Sequence, residues 1–253
     1  MNAGPQFPAP AGAGLVVVYV DNHMLVVDKP AGMLSVPDVG GETSALDVAK
    51  VWVKAAFDKP GDVFLGVVHR LDRPVSGLLI FGRTSKGAAR LSASLRDGAL
   101  SKTYLAVVAP WSAPDDGEVL HHLVKDERTN RVRWSARASA GSKLAHSRFR
   151  VIARTQDRVL LALEAVTGRP HQLRAAAASL GHPLLGDLKY GAPKALADGQ
   201  IALHAVHLRV PHPTQPRTLE FTRAPTRPVF QAHWTPHAQV SALERSWISS
   251  DLG

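Results

Sequence analysis

Short apolar segments with the composition of β-strands outnumber helical segments in this sequence, and the two kinds do not alternate. The predicted strands cover residues 15–20, 25–28, 78–83, 102–108, 118–124, 131–136, 145–152, 158–165, 201–210 and 218–222. A parallel sheet with crossover helices requires strands and helices to alternate. The pattern therefore favours an α+β fold built on a largely antiparallel or mixed β-sheet flanked by helices.

Apolar residues at helical spacing predict three helices, over residues 44–57, 85–96 and 170–180, and a short helix is expected within 225–239. Ser44 and Ser85 can cap the first two, and Gly181 can end the third. With no internal repeat or linker, we expect one compact domain over residues 15–240. A disordered tail at 1–14 and a second tail at 241–253 flank it.

The charge balance indicates a polyanionic partner. The chain has 30 basic and 21 acidic residues, a net charge of +9 and a pI of about 10.2. Nucleic acid is the first candidate, because an anionic membrane would also require an amphipathic or lipidated element. With no cysteine, disulfides, thiolate nucleophiles and zinc–thiolate sites are excluded, which fits a reducing cytoplasm. The apolar run at 15–20 is too short to cross a membrane.

A charged loop at residues 69–73 stands between two apolar runs, which predicts a strand, a loop and a strand. Asp72 lies between Arg70 and Arg73, next to His69 in sequence. A guanidinium within ~4 to 6 Å lowers the pKa of a carboxyl group by roughly one to three units. A carboxylate kept ionised on a rigid scaffold is a candidate nucleophile or base, although a surface ion pair is the more common role of such residues.

Other chemistries have weaker support. No Gly-rich phosphate loop of the P-loop type occurs, so no nucleotide cofactor is predicted. His204 and His207 are three positions apart in a predicted strand, which places their rings on opposite faces, and no metal site is predicted. Ser76 lacks a nucleophile elbow, so a Ser-His-Asp triad is also disfavoured.

Several segments in order resemble the RluA-type family of pseudouridine synthases, over about residues 18–213. They are Asp-Lys-Pro-Ala-Gly-Met at 28–33, His-Arg-Leu-Asp-Arg-Pro-Val-Ser-Gly at 69–77, Lys-Thr-Tyr-Leu-Ala at 102–106, Thr-Gly-Arg-Pro-His-Gln-Leu-Arg at 167–174, Leu-Gly-His-Pro-Leu-Leu-Gly-Asp-Leu-Lys-Tyr-Gly at 180–191 and Leu-His-Ala at 203–205. Val75 and Pro170 each replace a family threonine, and Leu173 replaces an isoleucine. None of these changes removes an ionisable or nucleophilic group.

The resemblance implies that uridine in RNA is converted to pseudouridine, without a cofactor or a metal. The bond from N1 to C1′ breaks, and the base rejoins the ribose through C5. It implies that Asp72 is the nucleophile, Tyr104 the active-site tyrosine and Arg174 the ionic partner of Asp72. Whether Asp72 attacks C1′ or assists glycal formation stays open.

The resemblance also implies a central RNA-binding cleft and a flipped uridine, whose place in the stack Arg70 fills. Leu173 is expected to contact the base, and His69 to lie against the RNA. Four further basic side chains are candidate phosphate contacts: Lys29, Arg73, Arg169 and Lys189.

Two alternatives stay open. One is an RNA-binding or ribosome assembly factor whose active site is dispensable. The other is a carboxylate hydrolase that combines Asp72 with a second acid, for which Asp187 is the candidate. The expected substrate is ribosomal RNA, transfer RNA or both, the default oligomeric state is a monomer, and the expected compartment is the cytoplasm.

Overall fold

The structure, a computed structural model, describes residues 14–231 apart from 127 and 130. The described chain forms eleven strands, four α-helices and a short 3₁₀ helix. The strand pairs within each of its two compact units are antiparallel, and an isolated parallel bridge joins Leu34 to Ser44. The α+β prediction is therefore confirmed. The ten predicted strands are all present, with ends that differ by at most two residues.

The chain divides into two compact units. Among the described residues, the first contains 14–101 together with 207–223, and the second contains 102–206 together with 224–231. The prediction of a single domain over 15–240 stays a prediction. The predicted tails lie outside the described residues, except for Gly14.

The first unit consists of antiparallel strand pairs and two helices. Its elements are β1 (Val16–Val20), β2 (Met24–Lys29), α1 (Ala45–Ala56), β3 (Gly66–Val67), β4 (Ser76–Gly82), α2 (Ser85–Arg96), the end of β10 (Leu203–Pro211) and β11 (Thr218–Thr222). Strand β2 pairs with β1 and β4, and β10 pairs with β11. Its core is apolar, and Met24, Ile80 and Leu91 are among the residues packed there.

The N-caps of α1 and α2 show how local sequence determines where the helices of this unit begin. Ser44 caps α1 as predicted, and a capping box joins it to Asp47. The cap of α2 is Thr84, whose hydroxyl accepts a hydrogen bond from Gly87 N at 3.0 Å, and not the predicted Ser85. Helix α2 lies so close to β4 that a Cβ on Gly82 would come within 2.5 Å of the Ala88 backbone, so only glycine fits there.

The second unit is a five-stranded antiparallel ladder with a helix on one face. Its elements are β5 (Ser101–Val108), β6 (Asp116–Asp126), β7 (Arg131–Ser135), β8 (Lys143–Arg154), β9 (Val159–Ala165), α3 (Gln172–Ser179), a 3₁₀ helix (Leu188–Tyr190), the start of β10 and α4 (Pro228–Gln231). The ladder order is β5, β9, β8, β6, β7. Helix α4 lies within the range predicted for a short helix, and the remainder of that range lies outside the described residues.

Helix α3 begins two residues later than predicted. Its N-cap, His171, has a left-handed backbone with φ of 51°, which interrupts the helical turn after Pro170. Gly181, at φ of 82°, follows the end of the helix as predicted. Ala175 on α3 packs with Ala145 on β8, which fixes the helix over one face of the ladder.

Candidate active site

The loop that carries Asp72 connects β3 to β4, which confirms the predicted strand, loop and strand. Its backbone is fixed on both sides of this half-buried residue. The Ser35 hydroxyl donates to Leu71 O at 2.7 Å and accepts from Leu71 N at 3.0 Å, and Val75 N donates to Asp72 O at 3.0 Å. The loop therefore presents its carboxylate from a defined backbone position.

Lys29 supports this loop from inside the protein. Its side chain is fully buried, and Nζ donates to the carbonyl oxygens of Pro30, Met33 and Arg73 at 2.9, 2.7 and 3.4 Å. Burial lowers the pKa of Lys29 from 10.5 to about 7, and the negative charges of Asp72 and Asp28 oppose that shift. A side chain without exposed surface cannot contact phosphate, so the prediction for Lys29 is wrong.

Arg73, predicted as a phosphate contact, instead binds other groups of the protein. Its Nη1 and Nη2 donate to the two carboxylate oxygens of Glu42 at 2.9 and 2.7 Å, and Nε donates to Gly32 O at 3.0 Å. The guanidinium therefore joins the Asp72 loop to residues 32 and 42, and is not held against Asp72. Lys29 is a cation of this unit whose charge interacts with that of Asp72.

His69 and Arg70 are neighbours in sequence but differ in exposure. His69 is buried, and its Nε2 accepts a hydrogen bond from Ile80 N at 3.3 Å, so this ring supports the loop from the interior and the predicted RNA contact is not favoured. Arg70 is exposed, as a side chain that enters an RNA stack must be.

Lys29 leads to a prediction about stability. Its pKa is lower in the folded protein than in the unfolded chain, so from pH 7 to 10 the unfolded chain binds more protons and the unfolding free energy of the wild type rises. The rise approaches ~1.4 kcal/mol per pH unit for a single proton. We expect the unfolding free energy of Lys29→Met not to show this rise between pH 7 and 10, as measured by urea unfolding at several pH values.

The exposed Lys86, on α2, provides the matched control. Lys86→Met should follow the wild-type pH dependence throughout. Parallel curves for the wild type and Lys29→Met between pH 7 and 10 would contradict the buried-ammonium interpretation.

Tyr104 lies on β5 in the second unit and is buried. It pairs with Leu163 on β9, which pairs with Phe149 on β8, so the three side chains share one face of the ladder. Lys102 is two positions earlier on the same face, and it is also buried. Burial lowers the pKa of Lys102 to about 8. Sequence reasoning gave Lys102 no role, although its position two residues before Tyr104 in a predicted strand is a signal for one.

Arg174, on α3, forms a buried ion pair. Its Nε donates to Asp187 Oδ2 at 2.7 Å and its Nη2 donates to Oδ1 at 2.8 Å. The two side chains are 7% and 1% exposed. Asp187 is therefore engaged by an arginine and shielded from solvent, which argues against its use as the second acid of a hydrolase.

The remaining predicted residues of this unit differ in exposure. Leu173 is buried beside Arg174. Arg169 is exposed, and its Nε donates to Leu144 O at 3.1 Å. Lys189 is half-buried on the 3₁₀ helix. Arg169 and Lys189 thus keep surface for a phosphate contact, which stays a prediction.

Among the described residues, no group of three or more His, Cys, Asp or Glu side chains is arranged to hold a metal ion. Within the same part of the chain, no helix is both long and apolar enough to span a membrane.

Comparison with known proteins supplies the deciding observation. Residues 23–179 match the family model of RNA pseudouridylate synthases. The chain belongs to this family. The RluA-type resemblance is confirmed, and the protein is an RNA pseudouridine synthase.

Relatives of this pseudouridine synthase match over most of their length. The dual-specificity RNA pseudouridine synthase RluA of Haemophilus influenzae is 35% identical over 218 residues, which cover 85% of this chain and 95% of the relative. The ribosomal large subunit pseudouridine synthase D of Zymomonas mobilis is 33% identical over 227 residues, 86% of this chain and 71% of the relative.

A solved structure agrees on the fold. Human RNA pseudouridylate synthase domain containing 4 superposes with a TM-score of 0.70 at 23% identity, over 83% of this chain and 88% of the other.

Proposed function

We propose that this pseudouridine synthase isomerises selected uridines in structured ribosomal or transfer RNA, with Asp72 as the nucleophile. The observation that carries the proposal is the Asp72 loop, whose backbone is held by Ser35 and by the buried Lys29. A nucleophile fixed in this way has little orientational freedom to lose on the way to the transition state. The relatives are named for RNA pseudouridine synthesis, one as dual-specific and one for the ribosomal large subunit.

The proposed reaction is balanced within the substrate. The Asp72 carboxylate promotes cleavage of the bond from N1 to C1′, the uracil turns, and a new bond forms between C5 and C1′. C5 loses its proton to solvent through the Tyr104 hydroxyl, and N1, which has lost its bond to C1′, gains a proton from solvent, so the product is an isomer of the substrate. In this proposal Arg174 is the ionic partner of Asp72 and orients it.

Binding to RNA requires a cationic surface, and the second unit has one. The region from the end of β6 to the start of β8 carries six exposed basic side chains: Lys125, Arg128, Arg131, Arg133, Arg137 and Lys143. Phosphate contacts by such residues release counterions and make affinity strongly dependent on salt. This surface supports an RNA stem or loop as the substrate.

The target uridine must leave its stack, at a cost of a few kcal/mol. We assign Arg70 to the vacated space, since a guanidinium plane can stack between bases. The central RNA-binding cleft, the monomeric state and action in the cytoplasm belong to the same proposal. The absence of cysteine suits a reducing compartment.

The test uses RNA labelled with tritium at C5 of uridine. We expect purified protein to release tritium from ribosomal or transfer RNA transcripts in proportion to the pseudouridine formed, with EDTA present. RNA binding without tritium release would instead support the assembly-factor alternative. Release of free uracil would support a hydrolase.

A further inference from the structure

Arg174 is held by its neighbours in a single orientation. Its ion pair with Asp187 uses Nε and Nη2, the side edge of the guanidinium. Because the guanidinium is planar, two parallel bonds to one carboxylate fix both its plane and its rotation. This side-on geometry directs the Nη1 end of the group away from Asp187.

Tyr190 packs against the same guanidinium. The Cζ atom of Arg174 lies 4.9 Å from the centre of the Tyr190 ring, within cation–π distance. The ring is itself fixed, because its hydroxyl accepts a hydrogen bond from Val132 N at 2.9 Å and lies 2.9 Å from His171 Nδ1. Asp187 and Tyr190 therefore constrain an edge and a face of Arg174.

Both constraining residues are almost fully buried. An ion pair removed from solvent contributes little net stability, because desolvation offsets much of the attraction. The main effect of this ion pair is to fix the orientation of the Arg174 guanidinium. An arginine held on an edge and a face by buried groups can present only its remaining end to a further anion.

We propose that Asp187 and Tyr190 are positioning residues for the isomerisation, which hold Arg174 in the single orientation that its role in the reaction requires. The inference rests on the proposed function in assigning Arg174 as the partner of Asp72. It gives Asp187 a role in catalysis that acts through Arg174 and not through a proton transfer of its own.

The experiment measures single-turnover pseudouridine formation at saturating RNA, together with the RNA dissociation constant. Asp187→Asn keeps the side-chain shape but loses the charge and one acceptor, so Arg174 can rotate. We expect a rate loss of ~100-fold, the size typical of a small misplacement of a reacting group. The dissociation constant should change less than about threefold, because Asp187 does not touch RNA in this proposal.

The chain offers a matched control in the pair of Asp198 and Arg227. Arg227 also binds its carboxylate side-on, with Nε to Oδ2 at 2.8 Å and Nη2 to Oδ1 at 3.0 Å. Asp198→Asn should keep the wild-type rate.

A double-mutant cycle separates positioning from a general structural effect. If Asp187 acts through Arg174, adding Asp187→Asn to Arg174→Ala should lower the residual rate by less than about threefold. Losses that multiply, or a wild-type rate for Asp187→Asn, would overturn the inference. A wild-type enzyme that forms no pseudouridine would overturn the proposed function as well, so the two failures are distinct.

Tyr190 keeps the inference testable if Asp187→Asn does not fold at the assay temperature. Tyr190→Phe retains the ring beside Arg174, whereas Tyr190→Leu removes it. We expect the leucine variant to be at least ~10-fold slower than the phenylalanine variant among folded molecules. Equal rates for the two variants would contradict the role of the ring.

Discussion

Asp72→Asn is expected to lower the rate of pseudouridine formation by a factor of about 10⁴ or more, the loss seen when a nucleophile is removed. The amide occupies the same space on the loop, so the contacts of Ser35 with Leu71 should persist. What disappears is the negative charge that the proposed mechanism requires at position 72. RNA affinity should be unchanged or slightly tighter, because a negative charge near the polyanion is lost. Tritium release and filter binding measure the two quantities.

Asp62→Asn provides the control, since Asp62 is an exposed carboxylate of the same unit. It should retain wild-type turnover and affinity. Wild-type turnover by Asp72→Asn would reject the aspartate mechanism. If cells that carry Asp72→Asn keep the function of this protein without forming pseudouridine, the assembly-factor alternative would be favoured.

Local patterns predicted the frame of the site. The apolar run after Asp72 forms β4, in which every residue over Ser76–Gly82 is buried, whereas the run before it forms only the two-residue β3. Ser44 caps α1 because its hydroxyl and the Asp47 carboxylate satisfy backbone donors within one turn. These signals involve residues within a few positions of each other. For such neighbours, the order of residues alone determines which groups can form a hydrogen bond or share a buried face.

The roles of the basic residues depended on distant parts of the chain. Lys29 and Arg73 both look like surface cations, and nothing adjacent shows that the chain folds over Lys29. One of the three carbonyl groups that hold its ammonium belongs to Arg73, 44 positions away. The carboxylate that captures Arg73 belongs to Glu42, 31 positions away. A sequence shows how many charges there are but not which pairs the fold brings together.

Asp187 shows the same limit in the second unit. A sequence motif identifies it as an acid that follows α3, which is compatible with a catalytic acid or with a partner for an arginine. Only the structure shows its two bonds to Arg174 and its almost complete burial. Burial and pairing determine whether a carboxylate can activate water, and neither is a property of the local sequence.

Tyr104→Phe is expected to reduce the rate of pseudouridine formation by ~10² to 10⁴, the range for loss of a proton-transferring group. The aromatic ring and its packing on β5 are retained, so the RNA dissociation constant should stay close to that of the wild type. Rapid quench of single-turnover reactions measures the rate, and filter binding measures affinity.

Tyr19 offers a control that removes the same atom elsewhere. Its hydroxyl donates to Asp21 Oδ2 at 2.9 Å in the first unit, so Tyr19→Phe should cost ~1 kcal/mol of unfolding free energy and leave the rate unchanged. A wild-type rate for Tyr104→Phe would remove the hydroxyl from the mechanism. If Tyr104→Leu were then slow, the ring would serve the base as a packing surface, and the proton would require another route.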